Sequence, residues 1–285
     1  MASLKTPVIE WIFFNLKRDA VTGEVTDPVV TFDDISDAIK KSGSTLSSAN
    51  LANFWKDLTR RGADGLNEHW PPAVFEAGYT GADAIGHGGR AVFTFVAVPD
   101  GQDQPFVDEL PFDPSLPVHP VQSLSMPQAM RALGRRGENW HAQVADRLGV
   151  VSTYFALGSP RNQGEKSLRE VNFLQTGIKM SRGETDAAFS LLAGDELWLV
   201  SAEVKGLREP FHLPQIARAA HALGAAAERA TPPLNIAGVI PLGIKVVAPS
   251  RMWVVEFNPV DDPDAALQKV GEMVIELTPS VPGVD

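Results

Sequence analysis

A chain of 285 residues is long enough for one large domain or two ordinary ones. With 44% hydrophobic and 21% charged residues its composition is globular, and the absence of cysteine excludes a disulfide scaffold, cysteine-ligated zinc or iron–sulfur centres and thiol catalysis. The net charge of −10 argues against a nucleic-acid partner until its distribution is read, because residues 99–125 hold five acidic and no basic groups whereas 126–229 hold 13 basic and 11 acidic.

A protein can meet phosphates with one local patch whatever its overall sign, and Arg135, Arg136, Arg147, Arg161, Lys166, Arg169, Lys179 and Arg182 concentrate positive charge in one stretch. The same residues also fit a solvated mixed-charge surface. No apolar run reaches the roughly 18 residues that would span a bilayer. The first residues lack the layout of a secretory signal. The expected location is cytoplasmic.

Ile9, Ile12, Phe13 and Leu16 recur at helical spacing after Pro7, which predicts a first helix to about Asp19. A short acidic-fronted helix is expected over Phe32–Ile39. A third is expected from an N-cap near Ser47 to about Arg61, with Leu51, Phe54, Trp55 and Leu58 as its apolar stripe. Two β-prone runs follow, around Ala73–Tyr79 and over Arg90–Val98. A Gly-rich loop containing Gly81, Gly86, Gly88 and Gly89 separates them. Three helices followed by a hairpin is the layout of a winged helix-turn-helix domain, expected here over 1–98. On its third helix Asn50, Asn53, Lys56 and Arg60 offer amide and basic side chains suited to a major groove.

Six prolines among five acidic groups make 99–125 an extended, self-repelling linker. A second domain is expected over 126–285. It opens with a helix over Met126–Leu148. Strands are expected over Val150–Leu157, Glu170–Gln175, Asp186–Leu192 and Leu197–Lys205. An Ala-rich helix over Pro214–Arg229, strands over Ile236–Val247 and Met252–Phe257, a helix near Asp264–Ile275 and a loose tail from Thr278 complete the chain. The expected class is α/β (α+β), with a mixed central sheet flanked by helices.

The informative segment is the predicted hairpin. If Ala193–Glu196 is a four-residue loop, Leu192 faces Leu197, and continuing that register sets Asp186 opposite Glu203 with Cβ atoms roughly 5 Å apart. Alternation puts Trp198, Val200, Ala202 and Val204 on one face and Ser201, Glu203 and Lys205 on the other. Two carboxylates and an ammonium then converge at one end of the hairpin. Such close like charges need neutralising, and carboxylate oxygens suit Mg²⁺. A metal held there can polarise a phosphodiester, and a lysine beside it can stabilise the charge that develops on phosphorus. A surface ion pair between Glu203 and Lys205 is the simpler alternative.

The order Asp186, then Glu203-Val204-Lys205 on the next strand, resembles the PD-(D/E)xK nuclease superfamily. Thr185 stands where the motif's proline would be. The resemblance implies Asp186 and Glu203 as metal ligands and Lys205 as the catalytic lysine. It also implies a glutamate from the preceding helix, for which Glu138 is the candidate. Gln215, opening the helix after the motif, is placed to line the site. With the winged helix, the whole is similar to a type II restriction endonuclease. That resemblance implies Mg²⁺-dependent, sequence-specific hydrolysis of double-stranded DNA by a homodimer, with a cognate DNA methyltransferase in the same host. Two other readings stay open: a winged-helix transcription regulator that binds DNA without cutting it, and a non-specific repair or defence nuclease.

Overall fold

The computed structural model describes residues 3–47, 51, 54–59, 67, 69–83, 91–106, 110–162, 168–180, 183–263 and 266–285. The chain divides into two compact units, one of Met1–Asp108 with Arg208–Pro210, the other of Glu109–Leu207 with Phe211–Asp285.

In the first unit, α1 (Thr6–Ile12) has Pro7 in its opening turn and runs into a π-helical turn over Phe13–Lys17. Strand β1 (Val29–Thr31) leads straight into α2 (Phe32–Lys41). The Thr31 hydroxyl accepts from the Asp34 N–H while the Asp34 carboxylate takes the Thr31 N–H, a reciprocal cap that fixes where α2 starts. Helix α3 (Phe54–Leu58) is the described part of the expected third helix. Then come α4 (Pro72–Glu76), β2 (Tyr79–Asp83) and β3 (Ala91–Ala97). The run Ala73–Tyr79 is therefore helix up to Glu76, with the strand starting only at Tyr79, because Pro72 at the first helical position presets the helical φ. The sheet is antiparallel in the order β1-β3-β2. Its core is aromatic: Trp55 stacks on Phe93 at 5.3 Å, and Trp70 meets Phe93 and Phe95 edge-on or tilted. Gly81 is required under those rings, since a Cβ there would lie 2.8 Å from Trp55 and 3.0 Å from Trp70.

The second unit is built on a seven-stranded mixed sheet in the order β4-β10-β9-β8-β7-β6-β5. Its elements are β4 (Val118–Gln122), α5 (Gln128–Leu133), α6 (Glu138–Arg147), α7 (Val150–Leu157), β5 (Leu168–Met180), β6 (Gly183–Ala193), β7 (Glu196–Lys205), α8 (Leu213–Glu228), β8 (Gly238–Ala248), β9 (Arg251–Phe257) and β10 (Lys269–Thr278). Strands β7 and β8 are parallel, joined through α8, and β10 is parallel to β4. All other pairs are antiparallel. Helices α6 and α7 pack on one face around Ala187, Val200, Ala202 and Val204. Helix α8 covers the other face, over Ala188, Leu199 and Val239. Its alanines at 217, 219, 220 and 222 let the helix approach the sheet closely. The molecule is thus mixed α/β, with helices on both sides of the larger sheet.

Several expected elements differ. Val150–Leu157 is helix, not strand: Val150, Val151, Tyr154 and Phe155 bury one helical face, and Gly149 at φ 64° makes the sharp turn from α6. The helix expected over Met126–Leu148 breaks into α5 and α6 between Gly134 and Gly137. Of the helix expected near Asp264–Ile275, Asp264 and Ala265 lie outside the described residues, and from Lys269 onward the chain is the strand β10, paired on both edges. Residues 99–125 are not all linker, because Val118–Gln122 forms β4. Its proline is tolerated there because β4 lies at the edge of the sheet. The tail is not loose, since Val281 and Val284 are buried. No helix among the described residues is long and apolar enough to cross a membrane.

Candidate active site

The site forms where β7 ends. β7 is a central strand, paired with β6 on one side and β8 on the other, so its backbone is fixed by two ladders. The hairpin register matches the sequence expectation: Leu192 faces Leu197 and the pairing runs down to Ala187 opposite Ala202. The loop is shorter than expected. Ala193 pairs directly with Glu196, which leaves a two-residue turn with Gly194 at φ 60°.

The ladder stops one pair short of Asp186 and Glu203. There the Asp186 carboxylate replaces a strand partner and accepts the Val204 N–H at 2.8 Å. Beside it, the Thr185 hydroxyl lies 3.1 and 3.3 Å from the Ala187 and Ala202 carbonyls, and the Ser201 hydroxyl donates to Thr185 at 3.0 Å. A hydroxyl residue preceding Asp186 thus pins the fork between the strands.

Glu203 and Lys205 are buried, at 2% and 5% exposure. They share a face of β7 with Leu199 and Ser201, the face covered by α8. The Lys205 ammonium is hydrogen-bonded to Glu203 Oε1 and lies 3.3 Å from Glu138 Oε1, at the first turn of α6. Gln215, in the first turn of α8, donates from Nε2 to Glu203 Oε1 at 2.7 Å. The structure therefore brings together Asp186, Glu203, Lys205, Glu138 and Gln215 from β6, β7, α6 and α8. The proposed groove-reading residues are in a different position. Asn50, Asn53 and Arg60 lie outside the described residues, as does the side chain of Lys56 and most of the Gly-rich loop, residues 84–90.

The electrostatics are lopsided. Burial, reinforced by the Glu203 charge, pushes the Asp186 carboxyl up to about 7, against the pull of Lys205 and the Val204 N–H. Burial works against the Lys205 charge, but Glu203, Asp186 and Glu138 together outweigh it and hold the ammonium above its ordinary value. Three carboxylates around one ammonium leave the cluster short of positive charge, which is the donor chemistry a divalent cation fits. No three His, Cys, Asp or Glu side chains among the described residues are grouped closely enough to enclose an ion by themselves. Two carboxylates and solvent suit Mg²⁺, which keeps several waters and seldom has an all-protein cage.

Sequence reasoning missed two further buried groups of the second unit. Lys245 stands on β8 directly beside Lys205. Glu256, on β9 and fully buried, accepts from Tyr154 at 3.0 Å and Ser159 at 2.6 Å and pairs with Arg161, tying α7 to the sheet. An isolated charged residue within an apolar strand pattern was the available signal for both. No family model, no curated protein and no solved structure matches the chain.

Proposed function

We propose that the chain is a Mg²⁺-dependent endonuclease of the PD-(D/E)xK type acting on duplex DNA, in the manner of a type II restriction enzyme. The observation that carries this reading is the meeting of Asp186, Glu203 and Lys205 at the open end of the β6–β7 hairpin, with Glu138 and Gln215 closing in from two helices. The first unit adds support. Its element order α1, β1, α2, α3, α4, β2, β3 and its strand order β1-β3-β2 are compatible with a winged helix carrying one extra short helix, and a winged helix would be suited to reading a groove.

Asp186 and Glu203 would hold the ion. When bound, Mg²⁺ supplies Lewis acidity toward the phosphodiester. Lys205, its ammonium set against Glu203 and Glu138, is placed as a hydrogen-bond donor. Its ammonium orients the attacking water and stabilises the charge that builds on the phosphate oxygens as the new phosphorus–oxygen bond forms and the ester bond breaks. Glu138 fixes the ammonium from the α6 side, and Gln215 orients the Glu203 carboxylate.

The test is a digest of plasmid and genomic DNA with Mg²⁺, with a chelator control. Discrete bands are the expected result. Smears would move the reading to a non-specific nuclease. Binding without scission in Mg²⁺ or Mn²⁺ would replace it with a DNA-binding regulator.

A further inference from the structure

The parallel pairing of β7 with β8 sets Glu203 beside Gly243 and Lys205 beside Lys245. Register neighbours on adjacent strands lie about 4.8 Å apart and point the same way. Lys245 therefore stands on the same face of the sheet as Glu203 and Lys205, one strand over. It is buried, at 8% exposure, and its ammonium rests over the ring of Phe211 at 5.9 Å from the centroid. That ring is seated on the bare backbone of Gly243, where a Cβ would come within 2.7 Å of Phe211 Cζ. Glycine at 243 thus lets an aromatic wall stand next to Glu203, and that wall carries a second cation.

Two lysines side by side in a sheet interior repel each other, and a branched apolar residue at 245 would pack as Val239 and Val247 do on the same face. A phosphodiester lying against Asp186 and Glu203 would bring negative charge to the adjoining strand, which is where Lys245 stands.

We propose that Lys245 holds a non-bridging phosphate oxygen of the nucleic-acid strand being cut. It is a second, substrate-binding lysine beside the catalytic one. This rests on the nuclease reading of the same site. It requires Lys245 to contribute both to equilibrium binding through its charge and to the cleavage step.

The experiment compares wild type with Lys245→Met, Lys245→Gln and Lys245→Arg. Single-turnover cleavage of plasmid DNA is measured in Mg²⁺. Binding of a short duplex that the wild type cuts is measured in Ca²⁺ across a salt series, and melting temperature is recorded for each variant. Both uncharged variants are expected to cleave about 10²-fold more slowly. Their plots of log affinity against log salt should be shallower by about 0.9, the value for one lost phosphate contact. Lys245→Arg should keep the wild-type salt slope and most of the rate. Slower cleavage with a lower melting temperature but an unchanged salt slope would make Lys245 a packing residue and overturn the proposal. So would wild-type rate and slope in the uncharged variants, and both results would leave the nuclease reading intact. A wild type that cuts no DNA would remove the nuclease reading itself, and this proposal with it.

Discussion

Glu203, Asp186 and Glu138 favour the ammonium form of Lys205, and the role proposed for it is electrostatic. Lys205→Met is expected to lower cleavage by at least 10²-fold, the usual loss for one donor aimed at a developing charge, while duplex binding changes only a few-fold. The same substitution leaves Glu203 buried with its nearest cation gone, which should destabilise the fold by roughly 3–5 kcal/mol. Mg²⁺ should then raise the melting temperature of this variant more than that of wild type, because the ion replaces the missing positive charge. An equal Mg²⁺ effect on both would argue against a metal at Glu203. Asp186 makes a separate test through pH. Its ordinary value is 3.8, and in the folded chain it stands at about 7. Between those values the unfolded chain has lost the proton that the folded chain still holds, so the stability this group contributes falls as pH rises from about 4 to about 7 and is flat above. Asp186→Asn, which does not titrate, should melt higher than wild type at pH 8 in metal-free buffer. The gap should close as pH is lowered from 7 to 4. A gap that does not vary with pH would show that Asp186 ionises normally.

At the scale of the element, the hairpin and its crossover do the positioning. Gly243 lies beside Glu203 and under Phe211, so Gly243→Ala should force the ring outward and cost about 1–3 kcal/mol through overpacking. It should also slow cleavage, because the wall next to Glu203 moves. Cleavage at the wild-type rate despite a lowered melting temperature would mean that the ring has no part in the site. The hairpin was legible in the sequence because two apolar runs flank the turn, because Ser201, Glu203 and Lys205 alternate with apolar residues toward the end of β7, and because an even-length turn with the same centre preserves the pairing that opposes residues 192 and 197. That is why a two-residue turn in place of a four-residue one left the approach of Asp186 to Glu203 unchanged. Glu138 and Gln215 were reachable only through the family resemblance, since no local pattern links helix starts so far apart in sequence. Val150–Leu157 misled for the opposite reason: a short apolar run with β-branched residues has no period that separates a buried helix from a buried strand. β4 was hidden among prolines and acids that read as a connector, and its strand character comes only from pairing with β10, far along the chain. Lys245 showed in the sequence only as a lone charge within an apolar strand, because its neighbourhood exists only once β8 lies parallel to β7.

At the scale of the whole molecule, the last residues of the chain hold the helix that delivers Glu138. Val281 and Val284 are buried. The Val284 carbonyl accepts from the Ser250 N–H at 2.7 Å, and the Val281 N–H donates to the Ser250 hydroxyl at 2.8 Å, which anchors the segment to the β8–β9 turn. On its other side Trp140 Nε1 donates to the Pro282 carbonyl at 2.9 Å, His141 Nε2 lies 2.9 Å from the Gly283 carbonyl, and Arg136 pairs with Asp285. The tail is thus a strap from the sheet to the first turns of α6, whose N-terminal residue reaches Lys205. Deleting residues 280–285 removes two buried valines, whose burial is worth about 1.5–3 kcal/mol each, and frees the start of α6. A fall in melting temperature of about 10 °C is expected for a unit of this size. Cleavage should fall at least as far as in Glu138→Ala. Adding Glu138→Ala to the truncated chain should then cost little more, because both changes remove the same contact. Independent, multiplying losses would show that the strap supports the fold without placing Glu138, and wild-type stability in the truncated chain would show that it is no strap at all.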